Sequence, residues 1–184
     1  ILVNNAAQGQ YGEFSETDIN RELEIINLNI ASVVILTKLF LKDMLQRGDG
    51  GILNVSSVAS RIPGPLQSVY HASKAFVQSF TAAIRDEVKD TSITITALLP
   101  GPTDTDFFAK ADMLNAKNVV EGDLADPAKV AMDGYNAMIK GVDNVVSGTM
   151  NKVEVAISNL LPESMVAEMV HKQQKPIENK KNKK

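Results

Sequence analysis

The sequence predicts an α/β domain built on a parallel sheet, and three observations lead to this fold class. Short apolar segments alternate with longer segments of helical periodicity along the 184 residues. The short segments are apolar at nearly every position, which is typical of strands covered on both faces. A helix-length segment separates each strand from the next, so the strands are expected to run parallel through crossover helices.

The first half of the chain is predicted as strand, helix and strand. An apolar run over residues 1–3 stops at two asparagines and indicates the first strand. Ser15 is the expected N-cap of a long helix over residues 19–47, because acidic residues follow it closely. Gly48 ends that helix, and residues 52–55 form the next strand.

The second half continues the same alternation. A helix is predicted from Ser68 to Lys89, and a β-branched strand over residues 93–99 stops at a Pro-Gly pair. A further helix begins at Pro127, where proline suits the first turn, and a short strand follows at residues 145–146. One or two terminal helices are expected between residues 151 and 172, interrupted by a proline.

Composition excludes several classes of protein. Apolar residues make up 44% of the chain, charged residues 22%, and the formal net charge is −3, which fits a globular domain and not a disordered chain. Cysteine is absent and only His71 and His171 could supply imidazole, so disulfides and a histidine-rich or thiolate metal centre are excluded. We expect no membrane span, because the apolar runs are shorter than about 20 residues, and a cytoplasmic location.

The C-terminal residues differ in charge from the rest. Residues 172–184 contain six lysines and one glutamate, and this composition predicts a disordered tail after a folded portion over residues 1–171. A solubilising role is the simplest interpretation. The alternative is a weak contact with an anionic membrane or nucleic acid surface, although the main expectation is that nucleic acid is not a partner.

Three polar residues could carry chemistry at the carboxyl ends of the strands, where parallel sheets bind ligands. Tyr70 and Lys74 are four residues apart and therefore share one helical face. A nearby ammonium lowers the pKa of a phenol from its usual value of about 10, which suits a general acid or base. Ser57 ends a strand, and the Pro-Gly-Pro loop at residues 63–65 could bring it to Tyr70. Each signal alone has a simpler interpretation. A Tyr and a Lys four residues apart also occur on ordinary surface helices, and Ser57 could be a turn or helix-cap residue.

Five short motifs together resemble those of the short-chain dehydrogenases/reductases. They are Asn4-Asn5-Ala6-Ala7, Asn29, Ser57, the Tyr70–Lys74 segment and Pro100-Gly101. Their order and spacing match the family over roughly residues 1–150, with a weaker likeness to DltE-like and ketoacyl-reductase-like members. The resemblance implies a Rossmann-like, doubly wound parallel sheet, and oxidoreduction of a carbonyl or secondary alcohol with NAD or NADP as cofactor.

The resemblance also implies catalytic roles. Tyr70 would be the general acid in reduction and the base in oxidation. Lys74 would lower the pKa of Tyr70 and bind the nicotinamide ribose, and Ser57 would orient the substrate carbonyl. Asn29 would hold a water in a proton relay, with Asn27 as the nearby competitor.

Cofactor and substrate contacts are implied in the same way. Asn5 and Ala6 would line the adenosine side, and Asn4 would tie neighbouring strands together. Pro100 and Gly101 would turn the chain so that the backbone at Thr103 contacts the nicotinamide. Tyr70 and Lys74 would also contact the cofactor. Residues 104–113 would form a mobile substrate lid in which Phe107 and Phe108 are an apolar wall. Ala7 stands where the family usually has glycine, and His71 is expected to be a loop or wall residue.

One part of the family pattern is missing from the sequence. No glycine-rich turn precedes Asn4, although such a turn binds the pyrophosphate. We therefore expect residues 1–171 to be the C-terminal portion of a single Rossmann domain without its N-terminal nucleotide-binding strands, inactive when alone and a homo-dimer or tetramer when complete. The alternative is a truncated, non-catalytic Rossmann-like remnant that acts as an interaction module. Relatives that epimerise nucleotide sugars are disfavoured by the short segment after Gly101.

Overall fold

A four-stranded parallel sheet forms the centre of the computed structural model, which describes residues 1–158 and 160–177. Its strands lie in the spatial order in which they occur along the chain. They are β1 (Leu2–Asn4), β2 (Gly51–Val55), β3 (Thr94–Leu99) and β4 (Asn144–Val146). The predicted α/β class with a parallel sheet is confirmed.

The first crossover is one continuous helical run with a change of pitch. Helix α1 (Ile19–Ile26) and helix α2 (Ser32–Arg47) are joined by a π-helical turn at Asn27–Ala31. The N-cap is Asp18, whose carboxylate accepts a hydrogen bond from the Asn20 amide at 3.0 Å. The prediction of Ser15 as N-cap is wrong, because a turn closed by the Glu16 amide and the Glu13 carbonyl occupies that position.

The remaining helices complete the alternation. Helix α3 (Ser68–Glu87) connects β2 to β3. The segment between β3 and β4 contains two short helices, α4 (Phe107–Lys110) and α5 (Lys117–Val120), followed by α6 (Pro127–Ile139). After β4 come α7 (Thr149–Ser158) and α8 (Glu163–Gln174).

Alternation of side chains along the strands separates two apolar layers. Ile52 and Ile95 face helices α2 and α3, in a buried cluster with Leu2, Met44, Ile84, Val88 and Ile93. Leu53 and Leu98 point to the other face and pack against Val130 and Met138 of helix α6. Helices therefore cover both faces of the sheet, which explains why the strands are apolar at successive positions.

The helical run Ile19–Arg47 is long and apolar enough to cross a membrane, judged on length and composition alone. The expectation that the chain has no segment of that kind is therefore wrong on this criterion. The core helix of a soluble protein meets the same criterion. In this structure α2 packs on the sheet through Val33, Thr37 and Met44, which are buried.

A chain of buried amides and hydroxyls links the strands to the helices. The Asn4 amide donates to the Asn54 carbonyl oxygen at 2.8 Å and to the Thr37 hydroxyl at 3.0 Å. Asn54 in turn donates to the Thr81 hydroxyl at 2.9 Å. Asn4 thus ties β1 to β2, as the family resemblance implied. All four hydrogen-bonded side chains are buried.

Replacing Asn54 by alanine is expected to reduce the free energy of unfolding by about 2 kcal/mol, because the Asn4 amide loses its best buried acceptor. The measurement is urea denaturation of the variant and the parent protein. Asn144→Ala, at an exposed strand position, is the matched control and is expected to change stability by less than about 0.5 kcal/mol. Equal effects at the two positions would contradict the assignment.

The C-terminal helix extends beyond the predicted boundary of the tail. Residue 172 lies inside α8, which continues to Gln174. Beyond it, the Lys117 amide donates to the Lys175 carbonyl at 3.0 Å, and the Ile177 amide donates to the Asn115 carbonyl at 2.9 Å. The first residues of the predicted tail therefore belong to the fold, and residues 178–184 lie outside the described residues.

Candidate active site

Ser57 and Tyr70 meet at the carboxyl end of the sheet. Ser57 is the second residue after β2 and caps a short 3₁₀ turn by accepting a hydrogen bond from the Ala59 amide at 3.1 Å. Helix α3 begins at Ser68, so Tyr70 lies in its first turn. Ser57 lies close enough to the Tyr70 hydroxyl to lower its pKa, which is the proximity that the strand end and the Pro-Gly-Pro loop predict, and the Ser57 hydroxyl donates to the Pro100 carbonyl at 3.4 Å.

Lys74 is buried one helical turn further along α3. Its ammonium donates to the Val55 carbonyl at 2.8 Å and lies 5.9 Å from the centroid of the Tyr70 ring. Within the part of the chain that the structure describes, no carboxylate forms an ion pair with it. Burial without a counter-ion lowers the pKa of Lys74 to about 8.

The pKa of Tyr70 moves in the opposite direction from the prediction. Burial raises the pKa of Tyr70 to about 12, and the hydrogen bond from Ser57 offsets only part of this rise. The expectation that Lys74 lowers the pKa of Tyr70 is therefore wrong for this structure. Desolvation of the phenolate by burial is the main cause of this rise.

Phe107, at the start of helix α4, covers the Tyr70 ring. The centroids of the two rings are 4.9 Å apart, and a Cβ atom added to Gly9 would approach Phe107 Cζ to 3.0 Å. The next residue, Phe108, is buried in an apolar cluster with Ala111, Met113 and Ala116. Both phenylalanines of the predicted apolar wall therefore lie in helix α4, and Phe107 is the one in contact with Tyr70.

Removing the Phe107 ring is expected to lower the pKa of Tyr70. Burial is the main reason why this pKa is about 12, so Phe107→Ala should admit water and shift the value toward 10 by about one unit or more. Ultraviolet titration of tyrosinate measures the shift, and subtraction of the Tyr70→Phe titration assigns it. Phe14→Ala, which removes a ring that is 63% exposed, is expected to leave the titration unchanged, and an equal shift there would refute the explanation.

Asn29 lies in the π-helical turn and is 1% exposed. Its amide donates to the Gln8 carbonyl and to the Ser73 hydroxyl, both at 2.9 Å, and its carbonyl oxygen accepts from the Gln8 amide at 3.0 Å. Asn29 thus connects the loop after β1 to helix α3. Asn27, the competing candidate, is exposed.

The residues implied for cofactor contact lie at the same edge of the sheet. Asn5 and Ala6 are exposed where β1 ends. The Pro100 carbonyl accepts from the Val58 amide at 2.9 Å, so the ends of β2 and β3 are joined there. The Thr103 hydroxyl donates to the Gly101 carbonyl at 2.9 Å and closes the following turn.

Two further residues beside Tyr70 gain importance from the structure. His71 Nδ1 lies 3.0 Å from the Ile62 carbonyl, and His71 Nε2 lies 3.4 Å from Nε2 of Gln174. The Gln174 carbonyl also accepts a hydrogen bond of 2.5 Å from the Tyr11 hydroxyl. Sequence reasoning placed Gln174 in the tail, although a buried stripe of residues four apart, Val166 and Val170, leads to it.

These features define a Rossmann-like α/β domain with a Ser-Tyr-Lys site at the carboxyl edge of its sheet. The family model described as "short chain dehydrogenase" matches residues 1–115. The chain therefore belongs to the short-chain dehydrogenase family.

The curated relatives are longer proteins. The chain is 31% identical to "Dehydrogenase/reductase SDR family member 7B" of Rattus norvegicus over 169 residues, which cover 88% of this chain and 48% of that protein. It is 27% identical over 175 residues to "Ketoacyl reductase HetN" of a Nostoc species, and the match covers 90% of this chain and 59% of that protein. The chain thus spans about half the length of the curated relatives it matches.

Solved structures share the fold. A 7beta-hydroxysteroid dehydrogenase superposes with a TM-score of 0.79 at 19% identity, covering 92% of this chain and 66% of that one. A short-chain dehydrogenase from Sphingobium yanoikuyae in complex with NADPH gives a TM-score of 0.74 at 22% identity. This match covers 86% of this chain and 63% of the other. The predicted Rossmann-like architecture is confirmed by these similarities.

Proposed function

We propose that the full-length protein is an NAD(P)-dependent oxidoreductase that reduces a carbonyl or oxidises a secondary alcohol. The observation that carries this proposal is the proximity of Ser57 and Tyr70 beside the buried Lys74 ammonium. Family membership supports the same reaction class. Relatives named as ketoacyl reductases make 3-oxoacyl compounds the first substrates to assay.

The chemistry of the site follows from its hydrogen bonds. A substrate oxygen placed between Ser57 and Tyr70 would accept from both hydroxyl groups, and this polarises the carbonyl. Tyr70 then gives its proton to the oxygen in reduction, or takes it in oxidation. Phe107 excludes water from the reacting atoms. The nicotinamide, when bound, supplies or accepts the hydride.

Lys74 fits a contact with the cofactor. The ammonium has three donors, and within the described residues the Val55 carbonyl is the acceptor in contact with it. The remaining donors suit ribose hydroxyls, and a bound diol would also satisfy a buried charge. Asn5, Ala6, Pro100, Gly101 and Thr103 are proposed to line the rest of the cofactor site. Asn29 is proposed to hold a water that links Lys74 to solvent as a proton relay.

The test is a hydride-transfer assay on the full-length protein with NADH and NADPH. The expected result is oxidation of one of the two cofactors that depends on a ketone or 3-oxoacyl thioester. No ketone-dependent turnover with either cofactor would refute the proposal. Residues 1–184 alone are proposed to be inactive, and saturable binding of NADH to them at micromolar concentration would refute that part.

Apolar side chains on neighbouring helices support a homo-oligomer. Ile35, Leu39 and Phe40 of α2 and Phe76 of α3 are between 39% and 60% exposed, and such surfaces are typical of interaction sites. We propose that the full-length protein is a dimer or tetramer that associates through these helices. We also propose that it is located in the cytoplasm. Light scattering of the Leu39→Lys variant is expected to show smaller particles than the parent. Unchanged particle size would contradict this interface.

A further inference from the structure

The side chain of Gln174 is buried beside the candidate active site, with one polar atom left over. Gln174 is 5% exposed, and its Nε2 approaches His71 Nε2 at 3.4 Å. Its Oε1 is buried and has no hydrogen-bond partner among residues 1–158 and 160–177. Buried polar atoms without a partner are rare in native proteins, so this oxygen calls for an explanation.

The tautomer of His71 fixes which way the Gln174 amide points. A backbone carbonyl can only accept, so His71 Nδ1, 3.0 Å from the Ile62 carbonyl, carries the hydrogen. Burial lowers the pKa of His71, and the carbonyls of Ile62 and Ala59 oppose this only in part. A neutral ring then has a lone pair on Nε2, which requires the NH₂ group of Gln174 as its partner. The carboxamide oxygen must face away from the histidine.

Gln174 contacts the first turn of α3, which also carries Tyr70. His71 follows Tyr70 directly, and the two rings are in edge contact with centroids 6.0 Å apart. Tyr11, whose hydroxyl donates to the Gln174 carbonyl, packs against the apolar cluster that contains Phe108. Gln174 is therefore in contact with the start of α3 through its side chain and with the loop after β1 through its backbone carbonyl.

We propose that Gln174 is a specificity-determining residue whose Oε1 accepts a hydrogen bond from an O–H or N–H group of the substrate, away from the reacting carbonyl. The inference rests on the proposed oxidoreductase function. It identifies the substrate class as ketones with a hydrogen-bond donor, such as hydroxyketones or 3-oxoacyl thioesters with an amide in the thiol arm. Sites built to pair a donor reject analogues that lack it much more strongly than apolar pockets reject a missing methylene.

The experiment compares matched substrates on the full-length protein. One pair consists of a hydroxyketone and its deoxy counterpart, with the hydroxyl one to three carbons from the carbonyl. The other consists of the N-acetylcysteamine and S-pentyl thioesters of 3-oxobutanoate. The donor-bearing member of at least one pair is expected to have a kcat/KM about tenfold higher or more, and the pair that shows this identifies the source of the donor. Equal values within both pairs overturn the inference.

Substitutions of Gln174 test whether this residue causes the preference for the donor-bearing substrate. Gln174→Leu is expected to abolish the ratio between matched substrates, whereas Gln173→Leu, the same change at the exposed neighbouring position, retains it. A preference that survives in Gln174→Leu contradicts the assignment. If Gln174→Leu does not fold, Gln174→Met serves in its place, and the wild-type ratios already decide against the inference if they equal one.

A binding measurement separates this inference from the proposed reaction. If no ketone is turned over, the oxidoreductase proposal fails and the same pairs are compared by the shift in Tm that each produces. A larger shift for the donor-bearing ligand that disappears in Gln174→Leu supports the Gln174 site independently of hydride transfer. Equal shifts within both pairs overturn it.

Discussion

Tyr70→Phe in the full-length protein is expected to reduce kcat by about 10²–10⁴-fold, the range that one positioned proton donor supplies. The variant keeps the aromatic ring that packs against Phe107 and removes only the hydroxyl beside Ser57. Cofactor affinity is expected to change little, because the Lys74 ammonium bonds to the Val55 carbonyl and not to the phenol.

The control for Tyr70→Phe is the same change at Tyr135. That side chain is 50% exposed on α6 and far from the site in the chain, so Tyr135→Phe is expected to retain full turnover. Steady-state kinetics and fluorescence titration of the cofactor measure the two quantities separately. Substantial turnover in Tyr70→Phe would remove the proton-transfer role from this residue.

Lys74→Met is expected to stabilise the fold while removing function. A buried ammonium without a carboxylate partner is unfavourable, and a pKa of about 8 in the folded chain against 10.5 in the unfolded chain corresponds to about 3 kcal/mol at neutral pH. The sign follows from proton linkage: the unfolded state binds the proton more tightly. Wild-type stability is therefore reduced in full below about pH 8, and the penalty fades as pH rises from there to 10.5.

Urea denaturation at several pH values measures this effect. The stability advantage of Lys74→Met over wild type is expected to be largest at neutral pH and to shrink through the alkaline window. Lys38→Met removes a charge from an exposed position of α2 and is expected to change stability by less than about 0.5 kcal/mol at every pH. A Lys74→Met variant less stable than wild type at neutral pH would contradict the account.

Local signals in the sequence were sufficient for the sheet and for the main polar residues of the site. Strands β1 to β4 are apolar and end in turn residues, so their order along the chain predicts parallel strands with ligand groups at one edge. The spacing of Tyr70 and Lys74 follows from helix geometry, and Ser57 from its place after a strand. These relations involve short stretches of chain, which is why they can be predicted without tertiary information.

Features that depend on packing could not be predicted in the same way. The sign of the pKa change at Tyr70 depends on burial beneath Phe107, which lies 37 positions later in the sequence. Gln174 was assigned to the tail because its neighbours are charged, whereas the structure buries it against His71. Asp18 rather than Ser15 caps α1 because a preceding turn displaces the start of the helix by three residues.

The hydrogen bonds between residues 175–177 and residues 115–117 affect the order in which the parts of the protein can fold during synthesis. All four strands precede residue 147, so the sheet can assemble while the rest of the chain is still being synthesised. The partners of the Lys117 amide and the Asn115 carbonyl, by contrast, leave the ribosome about 60 residues later. The nascent chain therefore pairs its strands before these contacts form, and proteolytic clipping after α7 is expected to release the segment at residues 115–117 while leaving the strands paired.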